Sequence, residues 1–180
     1  MLPVRKVIIP LASLLLAAAV LLGAYNLTLG VRQANAQAEL QTKLETLLPG
    51  STTFTEEAYT GEDANIAVAY KGETGYVIGT STAGYAGTIR MLIGVSNDGA
   101  VTGLQVRQME ETFGLGGEAL TDWQFLAQFL GTEGDAAVGE NIDAISGATV
   151  TSKAITRCVN SAVAFVTGTD VDSGATSWGG

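Results

Sequence analysis

Nineteen consecutive residues near the start of the chain, Val7 to Tyr25 (VIIPLASLLLAAAVLLGAY), carry no charge. At about 1.5 Å rise per residue, such a run forms a helix long enough for a hydrocarbon core of about 30 Å. Pro10 falls in its first turn, where a missing N–H costs little. Arg5 and Lys6 precede it, so the positive-inside rule puts residues 1–6 in the cytoplasm and everything after Tyr25 outside. A cleaved signal peptide is the alternative, because Ala34-Asn35-Ala36 and Ala36-Gln37-Ala38 fit the small-x-small cleavage pattern. The length of the run favours a retained anchor over residues 7–25, and both readings export the same domain.

Charge divides the chain at the same place. Residues 1–38 hold three basic residues and no acid, whereas the remainder holds six basic residues and all eighteen acids. The anchor region is therefore +3 and the exported part −12, which sum to the formal −9. An acidic exported domain is a poor nucleic-acid ligand, since that affinity needs clustered Lys and Arg. The absence of histidine excludes Ser-His-Asp catalysis and imidazole metal sites. A single cysteine, Cys158, excludes intrachain disulfides, Cys₄ zinc and CxxCH haem attachment. On an apolar helix face it reads as a small buried hydrophobe. No catalytic side chain and no metal ligand set is expected.

The exported part predicts an α+β domain over residues 51–166, joined to the anchor by a helical linker over 26–50 and followed by a loose tail, 167–180. Leu40, Leu44, Leu47 and Leu48 recur at helical spacing before Pro49-Gly50. Four strands are expected: Asn65–Lys71 and Gly75–Thr80 around a Gly72-Glu73-Thr74 loop, then Thr88–Ser96 and Val101–Arg107 around Asn97-Asp98-Gly99. Thr121–Leu130 reads as a short helix with Thr121 as cap and Gly131 as stop. Val150–Val166 reads as a longer helix with Ile155, Val159, Val163 and Phe165 inward.

Two segments stand out. Asp143-Ala-Ile-Ser146-Gly147-Ala148-Thr149-Val-Thr151-Ser152 runs into the longer helix. Its small residues and hydroxyls suit a phosphate at the positive end of a helix dipole. They equally suit an ordinary cap made by Ser146 or Thr149. Glu110-Glu111-Thr112-Phe113-Gly114-Leu115-Gly116 follows the last strand and has the form of a loop built to approach something flat, or of a plain connection.

In this order and spacing the two segments resemble the FMN-binding domain shared by the G subunit of Rnf complexes and the C subunit of sodium-pumping NADH:quinone reductases. Asp143, Ser146, Gly147, Ala148 and Thr149 match its Asp-x-x-(Ser/Thr)-Gly-Ala-Thr pattern. Glu111 to Gly116 are similar to its Glu-Thr-Pro-Gly-Leu-Gly, with Phe113 where the pattern has proline. Gly84-Tyr85-Ala86-Gly87 resembles its Gly-Tyr-x-Gly lead-in. The resemblance implies that Thr149 carries FMN through a phosphoester bond made by a separate flavin transferase from FAD. That fits the residues, because a threonine hydroxyl is a weak nucleophile without a base. On this reading Ser146, Gly147, Ala148, Thr151 and Ser152 meet phosphate and ribityl, while Thr112, Leu115 and Gly116 meet the isoalloxazine. Asp143 orients the loop or is read by the transferase. Lys153 either offers its charge to the phosphate or belongs to a solvated face.

The function implied is an electron-carrying subunit of a membrane-bound, ion-translocating Rnf-type complex, with the other subunits as partners. The short chain favours the Rnf G subunit over the quinone-reductase C subunit. Two further readings are a covalent flavoprotein serving a respiratory reductase or redox sensor, and a flavin-free exported binding module.

Overall fold

The computed structural model describes residues 4–109 and 122–169. The chain separates into two compact units, residues 1–42 and 43–180. The first is occupied by helix α1 (Val4–Leu47), whose last turn, from Lys43, belongs to the second unit. Along α1, Leu14, Leu15, Leu16, Leu21 and Leu22 are each more than 60% exposed. Consecutive leucines point in different directions round a helix, so this surface is apolar on all sides and not along one stripe. Among the described residues, no helix is long and apolar enough to cross a membrane.

The second unit is built on an antiparallel meander, β1 (Thr55–Glu57), β2 (Ile66–Lys71), β3 (Gly75–Ala83), β4 (Thr88–Ser96) and β5 (Val101–Met109), in that spatial order. The four expected strands are present, with β3 and β5 longer than expected. The fifth, β1, pairs its three exposed residues with Ala69–Lys71. Thr-Glu-Glu offers no apolar alternation to read, and backbone pairing alone makes it a strand. Gly99 adopts φ +94° in the β4–β5 turn, the left-handed conformation that Asp-Gly signals.

Period-two alternation assigns the two faces of the sheet. Ile78 lies opposite Ile93 and Thr80 opposite Met91 in the β3–β4 register. These residues share a face with Ile89 and Val95, and helix α3 (Thr149–Thr167) packs across it. Ala154, Ile155, Cys158, Val159, Ala162 and Val163 of α3 are buried there together with Phe125, Phe129 and Ile142. Phe165, expected inward, is half-buried and meets the edges of Tyr59 and Tyr76.

The other face receives the last turn of α1, where Leu44 and Leu47 are buried, and Leu48 just after it, also buried. Leu40, one turn earlier, is half-exposed. Gly94 and Gly103 lie opposite each other on β4 and β5. They open a gap into which the backbone of Leu47 descends. The Thr102 hydroxyl donates to the Leu47 carbonyl at 2.5 Å, which closes the contact. A Cβ on Gly94 would come within 2.1 Å of that carbonyl oxygen. The following turn is fixed by Glu73, whose carboxylate accepts from the backbone N–H groups of Thr52 and Thr53. Hydrogen bonds to its own and these neighbouring groups hold the Glu73 carboxyl below the usual carboxylate range.

Helix α2 (Trp123–Ala127) is shorter than the expected Thr121–Leu130. Its cap is Asp122, whose carboxylate accepts from the N–H groups of Gln124 and Phe125. Thr121 lies outside the described residues. The helix gives way to tighter turns because the chain is drawn back to β5: Gly131 N–H donates to the Val101 carbonyl, and Val101 N–H donates to that of Thr132. The tail beyond Thr169 also lies outside the described residues.

Gly94→Ala should lose about 1–3 kcal/mol in urea denaturation, since backbone must shift to admit the methyl. Gly103→Ala, whose Cβ would stand 3.1 Å from Leu47, should lose less. A second outcome concerns Cys158, whose thiol burial pushes up to about 11 from an ordinary 9.0. Between those values the unfolded chain sheds its thiol proton first, so stability falls as pH rises through this window. Cys158→Ala should remove that component, seen as a smaller loss of stability across the same window than the wild-type chain shows.

Candidate functional site

The start of α3 is made by a four-residue turn. Ala148 N–H donates to the Ile145 carbonyl at 2.9 Å, and Gly147 takes φ +78°. That is the third position of a type II turn, which glycine occupies without steric cost. Ser146 and Gly147 project to solvent, Ala148 is buried, and Thr149 emerges exposed as the first helical residue.

Sequence alone leaves open whether Ser146 or Thr149 caps this helix. Neither does. The N-cap position is Ala148 and no side chain caps the helix. The first N–H groups of a helix have no acceptor within it, so α3 presents uncapped donors and the positive end of its dipole beside Thr149. No acid stands in its first turn.

The nearby hydroxyls divide into two kinds. Ser152 is fully buried, accepts from Ile145 N–H at 3.3 Å and donates to the Ala148 carbonyl at 3.0 Å. It spans the turn from beneath. Thr151 is also buried, yet its hydroxyl oxygen has no hydrogen-bond partner. A buried polar atom without a partner is costly.

Asp143, six residues before Thr149, is exposed. Its backbone is held at two points by Gln128 at the end of α2: the Asp143 N–H donates to Oε1 at 2.7 Å, and its carbonyl accepts from Nε2 at 3.3 Å. Asn160 of α3 reaches back to the Ala136 carbonyl, and Asn141 bonds to Ala137 N–H and the Asp135 carbonyl. Gln128, Asn141 and Asn160 are the residues that sequence reasoning misses here. They act on main-chain groups, so no motif advertises them.

The hairpin of β3 and β4 closes where Gly84 N–H donates to the Gly87 carbonyl, with Tyr85 exposed at its tip. Arg157 of α3 donates to the Ala83 carbonyl at 3.4 Å, fastening the helix to this end of the sheet. β5 ends here too, Met109 lying opposite Ile89. The Glu110–Gly116 segment that follows it in sequence, including Thr112, Leu115 and Gly116, lies outside the described residues. Among those described, no group of acids or cysteine could hold a metal. A separate pocket of about 320 Å³ is lined by Leu47, Gly103, Leu104, Trp123, Leu126 and Leu130 among others; none of the motif residues lines it.

Residues 84–164, from the hairpin tip to α3, match the FMN-binding domain family. The G subunit of a sodium-translocating ferredoxin:NAD⁺ oxidoreductase complex of Acetobacterium woodii is 38% identical over 117 residues, covering 59% of this chain and 53% of that one. A proton-translocating counterpart of Clostridium ljungdahlii is 36% identical over 116 residues, covering 61% and 59%. The alignments thus span little more than half of those two relatives. The G subunit of an ion-translocating oxidoreductase complex of Methanosarcina acetivorans is 33% identical over 180 residues, covering 91% of this chain and 94% of that one. Among solved structures, Shewanella oneidensis NqrC aligns over 69% of this chain and 73% of its own at TM-score 0.45 and 18% identity. Matched along almost its whole length, the chain belongs to the family of G subunits of ion-translocating oxidoreductase complexes and carries an FMN-binding domain.

Proposed function

We propose that this protein is an electron-carrying subunit of a membrane-bound, Rnf-type ion-translocating complex, with FMN attached to Thr149 through a phosphoester. The observation that carries the reading is the uncapped start of α3, where an exposed threonine follows a glycine turn within the matched domain. The residues fit the group: a phosphodiester is an anion, and helix N–H donors at the positive end of a dipole favour one. The unpartnered Thr151 hydroxyl supports the same fit.

FMN, when bound, supplies a redox centre able to exchange one or two electrons. The chain supplies position. Ser146, Gly147, Ala148 and Thr151 would hold the phosphate and ribityl. Ser152 fixes the turn, and Gln128 holds the Asp143 end of the loop, so that Asp143 orients the approach to Thr149. Thr112, Leu115 and Gly116, which follow β5 in sequence, would meet the isoalloxazine. No residue here acts as a base for the attachment, which a flavin transferase performs.

The apolar surface around α1 and the charge-free run over 7–25 support a membrane anchor, with residues 1–6 cytoplasmic, 26–50 a linker, and the 51–166 domain outside. The partners are the other subunits of the complex.

Expressed with an active flavin transferase, the denatured protein should fluoresce as a flavin on a gel, and Thr149→Ala should abolish the signal entirely. Fluorescence persisting in Thr149→Ala would place the attachment elsewhere, and a dark wild-type chain would return α3 to the role of a plain core helix. Extraction in mild detergent should recover integral-membrane subunits with the chain. Recovery of a soluble reductase alone would favour the respiratory reading.

A further inference from the structure

Helix α3 carries two basic residues, Lys153 and Arg157, and no acid along its length. Thr149, Lys153 and Arg157 follow one another at intervals of four, and residues so spaced stand above one another on a helix face. Each Cα–Cβ bond leans towards the helix N-terminus, so a long side chain covers the turn that precedes its own Cα. For Lys153 that turn is the one opened by Thr149. The two cations differ in what they do. Arg157 is half-buried and donates to the Ala83 carbonyl of the hairpin, whereas Lys153 is exposed. Residues 39–180 have only six basic residues against eighteen acids. A cation one turn behind Thr149 therefore works against the prevailing field of its domain.

Resting on the flavin reading above, we propose that Lys153 is the counter-charge to the phosphate on Thr149, closing over the phosphodiester from the side while the uncapped N–H groups of α3 meet it from below. The neighbourhood accounts for the division of labour. Helix dipole and N–H donors stabilise an anion by a partial charge only, and the remainder of the phosphate charge needs a full cation. Lysine suits the task, being a mobile point charge with three donors on a flexible stem.

The test uses the full-length chain in detergent, prepared with and without an active transferase, and reads the change in Tm that flavinylation produces. Measurements are made on the flavinylated fraction, so a variant that loads poorly still gives a value. Lys153→Gln should shrink the stabilisation gained on flavinylation, Lys153→Glu should shrink it further, and Lys153→Arg should retain it. Lys71→Gln makes the same change in net charge at the opposite end of the sheet and should leave the gain at its wild-type size. High salt should bring the wild-type gain down towards that of Lys153→Gln. The ³¹P resonance of the phosphodiester should move in Lys153→Gln and not in Lys71→Gln. Equal gains in wild type, Lys153→Gln and Lys153→Glu, or an equal loss in Lys71→Gln, would overturn the assignment of Lys153 and leave the flavin intact. A wild-type chain that takes no flavin would overturn both readings together.

Discussion

The hydroxyl of Ser152 decides what the start of α3 can be. By accepting from Ile145 and donating to Ala148 it ties both ends of the preceding turn to the underside of the helix. A serine or threonine near a helix start usually caps the free donors itself. Here the buried serine is one turn too deep to do so and the exposed hydroxyls stand clear, which leaves the donors open. Gly147 is needed for the same reason. Only a residue at ease with positive φ lets the chain turn this sharply without a side chain filling the space in front of the helix.

Keeping that opening in place requires the rest of the fold. α3 is buried along most of its length against β3 and β4, so it cannot slide or tilt to find a cap. Gln128 and Asn160 hold the loop before it through main-chain groups. On the far face of the sheet, Leu47 sits in the gap made by Gly94 and Gly103. The sheet is therefore packed on both faces, with α3 on one and Leu47 on the other. An uncapped helix end left to itself frays; one held by its flanks stays available to a ligand.

Much of this was legible in the residues. The apolar run in Thr88–Ser96 and the Asp98-Gly99 turn specify β4 and its hairpin because side-chain burial and backbone turn agree there. α3 was legible for the same reason, its apolar residues recurring at helical spacing. What escaped were features held by main-chain bonding. β1 has no hydrophobic pattern. α2 stops early because β5 claims the backbone of Gly131 and Thr132, and its cap is Asp122, one residue beyond the expected Thr121. The two uses of hydroxyls in Thr151 and Ser152 could not be told apart by sequence, since adjacent residues on a helix differ by about 100° in direction and only packing says which one meets the turn.

The absence of histidine and the single buried cysteine now acquire a physical sense. Cys158 lies in the core with its thiol proton held on by burial, so it offers no thiolate for redox chemistry. From Ser146 to Lys153 the side chains are small, hydroxylic or cationic, and none is an imidazole or a thiol. Such a surface can hold an anion without exchanging protons with it. For the carrier proposed above that is the useful property: the side chains from Ser146 to Lys153 offer backbone, hydroxyls and a cation to a phosphate, and the redox chemistry is left to the group anchored there. A histidine at the same position would have made the local field vary with pH near neutrality.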